Sequence, residues 1–134
     1  IVLPALRKYE PDFVLVAAGF DAGVTDPLGR MMLNAGSFER LMKRVRDVCE
    51  EICAGKLVVA QEGGYDASAV PFHGLATLEA LSGISAGIDN PFYYPAPPES
   101  AKPRHDEEAA LKNAEGMFSE ACMYWDAFNR VGSS

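Results

Sequence analysis

The sequence predicts an α/β protein built on a parallel sheet that these residues do not complete. Three observations lead there. Two continuous apolar runs, residues 13–18 and 57–60, read as strands buried on both faces. Between them lies a segment of helical period, and after the second comes another helix, so the order is strand, helix, strand, helix. Two parallel strands would leave both edges unpaired, whereas sheets ordinarily hold about 4–6 strands. Further polypeptide, or a second copy in a homo-oligomer, is therefore expected to finish the sheet.

Each element has a local cause. Residues 2–9 read as the end of a helix closed by Pro11, because proline disfavours helix in the residue before it. The run Phe13-Val14-Leu15-Val16-Ala17-Ala18 ends in Gly19, and a loop to about Gly36 is punctuated by Gly23, Asp26-Pro27 and Gly29. Phe38, Leu41, Met42, Val45, Val48, Cys49 and Ile52 then recur at three- and four-residue steps. Ser37 is the expected N-cap and Gly55 the expected left-handed terminator. Leu57-Val58-Val59-Ala60 runs into Glu62-Gly63-Gly64-Tyr65, and a helix capped by Asp66 or Ser68 is expected to stop at Gly83. Residues 89–104 read as a connector, with five of the nine prolines and no glycine, held down by Phe92, Tyr93 and Tyr94. Residues 105–134 read as a C-terminal amphipathic helix packing on the domain of residues 1–88. Its stripe is Leu111, Ala114, Met117, Phe118, Ala121, Cys122, Trp125 and Phe128.

Composition narrows the function. The 134 residues carry a net charge of −7, which disfavours a general nucleic-acid binder but suits a cationic substrate. No apolar run approaches the roughly 20 residues of a membrane span. The opening Ile1-Val2-Leu3-Pro4 has no basic stretch and no Met, which predicts no signal peptide and a start inside a longer sequence. The three cysteines, Cys49, Cys53 and Cys122, lack framework spacing and read as reduced core thiols of a cytoplasmic protein.

In open parallel sheets, ligands gather beyond the carboxyl ends of the strands. Asp21 and Tyr65 each lie just past such an end, a carboxylate and a phenol on one rim. Spacing alone leaves open a plainer reading, with Asp21 a turn residue and Tyr65 a surface aromatic. Two further classes stay open: a nucleotide-binding domain using Gly19–Gly23 as a phosphate loop, and a non-catalytic interaction module.

The blocks Pro11-Asp12-x-Val14-Leu15-Val16-x-Ala18-Gly19-Phe20-Asp21-Ala22, Asp26-Pro27-Leu28-Gly29 and Glu62-Gly63-Gly64-Tyr65 carry a specific resemblance. Together, over residues 1–90, they resemble the C-terminal part of the class II histone deacetylases. They are similar also to the bacterial histone-deacetylase-like amidohydrolases and acetylpolyamine amidohydrolases, all of the arginase–deacetylase superfamily. The resemblance implies a parallel sheet with helices on both faces and a Zn²⁺-dependent hydrolase acting on acetylated lysine or acetylpolyamine in a bacterial cytoplasm. It implies Asp21 as a zinc ligand, Tyr65 as the catalytic tyrosine, and Phe20, Leu28, Gly63 and Gly64 as walls of the substrate tunnel. Two further ligands, from an Asp-x-His motif, and the general-base histidines would come from an N-terminal part absent here. The two histidines present match neither pattern: His73 reads as a structural or surface residue and His105 as a helix-entry residue. On this reading the 134 residues alone are inactive and bind zinc weakly or not at all.

Overall fold

The computed structural model describes residues 1–29, 31–93 and 105–131, the last stretch with side chains from 106 to 120. Leu3–Ala96 form one compact unit. Its elements are helix α1 (Val2–Tyr9), strand β1 (Val14–Ala18), helix α2 (Ala35–Cys53), strand β2 (Leu57–Gln61) and helix α3 (Val70–Ser82). A three-residue 3₁₀ turn, Phe20–Ala22, follows β1. The strands pair in parallel, from Val14 opposite Leu57 to Ala18 opposite Gln61. Strand, crossover helix and parallel strand is the arrangement that the apolar runs predict. The second compact unit contains helix α4 (His105–Val131).

The core lies on one face of the sheet. Val14, Cys49 and Cys53 are buried together, with Leu6, Val16, Val45, Ile52 and Leu57 packed against them. The two thiols are free, and Cys53 Sγ donates to the Cys49 carbonyl at 3.2 Å, as expected of reduced core cysteines. The opposite face differs from expectation. Leu15 is 74% exposed and Val58 is exposed as well. Nothing among the described residues covers them, although burying each side chain would contribute about 1.5–3 kcal/mol. The runs are apolar enough for a sheet covered on both sides, and the described residues supply the cover for one.

The helix ends show what sequence pattern resolves and what it blurs. Gly83 is left-handed, and its N–H donates to Glu79 O at 2.9 Å, closing α3 as predicted. Gly55 is left-handed too, but Ala54 before it already is, so α2 ends on two such residues. The N-cap of α2 is Asn34 and not Ser37: the Asn34 side chain accepts from the Ser37 N–H at 3.2 Å. Gly36 looks like a breaker, yet it sits in the first turn, where N–H groups need no intrahelical partner. Asp66 holds the turn that leads into α3, accepting from the Ser68 and Ala69 N–H groups, and Ala69 itself starts the helix without a side-chain cap.

α2 and α3 pack against each other, and Arg46 of α2 donates to the Ala80 carbonyl near the end of α3. At the other end of this pair, Phe92 meets Phe72 at a tilt with centroids 5.5 Å apart, and its carbonyl accepts from the Ala35 N–H. Phe92 thus holds down the start of the proline-rich stretch; Tyr94 and residues 95–104 lie outside the described residues. Along α4, Leu111 and Met117 are exposed, while Ala114 and Phe118 are half-buried. The side chains of Cys122, Trp125 and Phe128 also lie outside the described residues.

Candidate active site

Parallel pairing at Ala18 and Gln61 brings the two motif loops out at the same end of the sheet. The ladder continues into them: the Glu62 N–H donates to Ala18 O at 3.1 Å and the Phe20 N–H to Gly63 O at 2.8 Å. The 3₁₀ turn then carries the Asp21 carboxylate beside the glycines. A Cβ on Gly63 would stand 2.5 Å from Asp21 Oδ2, and one on Gly19 would stand 2.7 Å from Oδ1. Both glycines are needed for the carboxylate to lie where it does. Gly29 is needed as well, since its Cβ would overlap the Asp21 carbonyl oxygen.

Asp26 joins the two loops. It is 8% exposed. Its Oδ1 accepts from the Leu28 and Gly29 N–H groups at 2.8 and 2.9 Å, and its Oδ2 accepts from the Tyr65 N–H at 2.8 Å. Burial raises its carboxyl pKa, but the N–H groups of Gly29, Tyr65, Leu28 and Asp66 outweigh this and hold it below the usual range. A hydrogen bond from the Thr25 hydroxyl to the Asp66 carboxylate makes a second link and lowers the Asp66 pKa. Gly64, with φ at +131°, lets the backbone turn immediately before Tyr65. Tyr65 is 57% exposed and Leu28 is 68% exposed, so both side chains are open to a ligand.

Phe20 does not line this rim. Its ring is 5% exposed and meets Phe38 edge-on at 5.2 Å. Consecutive residues in a tight turn point different ways, so a ring beside an outward Asp21 turns into the core. The same aromatic cluster encloses His73, which is 2% exposed, 4.8 Å from Phe38 and 6.1 Å from Phe92 between centroids. Neither ring nitrogen has a hydrogen-bond partner among the described residues. The structural role expected of His73 fits this place, though so complete a burial had no sequence signal.

Burial lowers the His73 pKa below its ordinary 6.5, partly offset by the Asp66 charge. Below pH 6.5 the unfolded chain then takes up a proton that the folded chain refuses, so stability falls as pH drops from the unfolded pKa toward the folded one. Thermal melts between pH 7.5 and 5 should show this loss, and His73→Phe should flatten it. An unchanged slope in that variant would mean that His73 takes up its proton equally in the folded and unfolded chain.

One carboxylate is what these residues offer a metal. Among the described residues no hydrogen-bond donor reaches the Asp21 carboxylate, which leaves its oxygens available to a cation. Among them, too, no three His, Cys, Asp or Glu side chains gather as a ligand set. Cys49 and Cys53 lie in the core beneath the sheet and not at this rim. The chemistry fits one position of a zinc site whose other ligands come from elsewhere. A phosphate loop fits less well. Gly19–Gly23 encloses a three-residue turn occupied by a carboxylate, and the next α-helix in sequence starts only at Ala35, so these glycines do not run directly into a helix N-terminus.

Comparison with known proteins agrees with this geometry. Residues 1–81 match the histone deacetylase domain family, and the chain belongs to that family. It is 48% identical over 91 residues to a histone deacetylase-like amidohydrolase of Pseudomonas aeruginosa, covering 68% of this chain and 24% of the relative. A probable deacetylase of Archaeoglobus fulgidus is 30% identical over 131 residues, which cover 96% of this chain and 36% of that protein. Among solved structures, the HDA15 HD domain superposes with a TM-score of 0.56 at 35% identity, over 62% of this chain and 22% of the domain's chain. The chain thus spans about a quarter to a third of the curated relatives described here.

Proposed function

We propose that these residues form one rim of the active site of a zinc-dependent amidohydrolase that removes acetyl groups from lysine side chains or polyamines. The observation that carries the reading is the joining of the Asp21 and Tyr65 loops at the carboxyl ends of paired strands, within a stretch matched by the histone deacetylase family. Asp21 would hold the zinc together with ligands from polypeptide outside this sequence. When bound, the metal polarises the acetyl carbonyl and acidifies the attacking water. The Tyr65 hydroxyl donates a hydrogen bond to the carbonyl oxygen as negative charge gathers there. Leu28, Gly63 and Gly64 flank the acyl-bearing stem, and the net charge of −7 favours a cationic substrate.

The test is turnover of an acetyl-lysine peptide and of an acetylpolyamine by the complete polypeptide, with and without a chelator. Chelation should abolish it. Turnover that survives both chelation and Tyr65→Phe would reject the reading. The 134 residues by themselves should hydrolyse neither substrate and should bind zinc only weakly in calorimetry, because one carboxylate cannot make a three-ligand site. One tight site lost in Asp21→Ala would contradict this.

A further inference from the structure

A turn-forming aspartate needs one oxygen. Asp26 uses Oδ1 in that way, for the Leu28 and Gly29 N–H groups, and the local turn is then complete. Its second oxygen reaches across 39 residues of sequence to the backbone N–H of Tyr65. The side chain is buried, so both oxygens depend on these N–H groups instead of water, and losing any one leaves a costly gap. Just before Tyr65, Gly64 adopts a backbone that other residues rarely reach. The direction of the chain at Tyr65 is therefore set by Gly64 and anchored by Asp26.

We propose that Asp26 is a positioning residue for catalysis: by accepting the Tyr65 N–H, it fixes the backbone from which the phenol reaches the reacting carbonyl, without itself touching substrate. This rests on the reading of Tyr65 as the oxyanion donor. A phenol oxygen stands far from its own Cα, so a small backbone rotation becomes a large displacement of the hydroxyl. A misplacement of about 1 Å can cost on the order of 10²-fold in rate.

Asp26→Asn keeps the shape and changes the hydrogen bonding. Its amide has one acceptor oxygen, and whichever way it turns, its NH₂ faces either the Tyr65 N–H or those of Leu28 and Gly29. One loop is released in either case. The experiment is a double-mutant cycle in the complete polypeptide, with Asp26→Asn, Tyr65→Phe and both together, read as kcat, KM and metal content. Asp26→Asn should lower kcat by about 10- to 100-fold with KM and metal content nearly unchanged, and should cost less than about threefold once Tyr65 is Phe. The same fold loss in both backgrounds would overturn the positioning role and leave the Tyr65 reading standing. A kcat within threefold of wild type for Asp26→Asn would overturn it also. If Tyr65→Phe alone leaves kcat unchanged, both readings fall. Should Asp26→Asn not fold, replacing Tyr65 by its α-hydroxy acid analogue removes the Tyr65 N–H and leaves the Asp26 carboxylate with its other donors. A lowered kcat supports the proposal in that case, and an unchanged one overturns it.

Discussion

Tyr65→Phe should lower kcat of the complete enzyme by about 10²–10³, the usual effect of deleting one oxyanion donor. The substitution removes an oxygen and keeps the ring. Tyr65 is largely exposed and is tied to Asp26 through its backbone N–H, which Phe retains. The loop should hold its shape, and the melting temperature and metal content should barely move. KM should change little as well, because the lost hydrogen bond strengthens as charge develops on the carbonyl oxygen and counts for less in the ground state. Steady-state kinetics with a metal assay decide the matter. A kcat within about threefold of wild type, well short of the ~1.4 kcal/mol of a tenfold change, would remove Tyr65 from the oxyanion role.

Asp21→Ala should have the larger effect, because it acts on the metal itself. Losing an outer-shell partner typically costs 10- to 100-fold in metal affinity, and losing a direct ligand should exceed about 100-fold. Turnover should fall to background with it. The fold should survive, since the carboxylate rests against glycines and accepts no hydrogen bond among the described residues that its removal would orphan. Metal content after dialysis, alongside a circular dichroism melt, separates these effects. Full zinc occupancy in the folded variant would show that Asp21 is not a ligand.

The strands were legible because short apolar runs bounded by Pro11 and Gly19, and by Gly55 and Gly63, have few other ways to be buried, and the ends of α2 and α3 because Gly55 and Gly83 can turn left-handed. The rim was legible too: parallel strands bring their carboxyl ends together, and with them Asp21 and Tyr65. What escaped were contacts made between segments. Phe20 was assigned to a ligand wall, and only its partners Phe38 and His73, from two other elements, show that it turns inward. The bond from Asp26 to the Tyr65 N–H escaped because it crosses 39 positions that no local pattern spans. Asn34 lost the cap to Ser37 in the reading because the apolar period starts at Phe38, one turn after the backbone helix does.

The hydrogen-bonded zipper from Ala18 and Glu62 through Phe20 and Gly63 bears on how such a site can diversify. One residue added or lost between Ala18 and Asp26, or between Gln61 and Tyr65, would slip a loop against its neighbour and shift Asp21 relative to Tyr65. Changes of length are thus penalised here, where surface loops ordinarily tolerate them. Side-chain changes are a different matter. The backbone N–H of Leu28 is pinned by Asp26 while its side chain stands in the open, and Met31 and Met32 nearby are exposed as well. Exchanging these three exposed side chains would leave in place the frame that holds Asp21 and Tyr65.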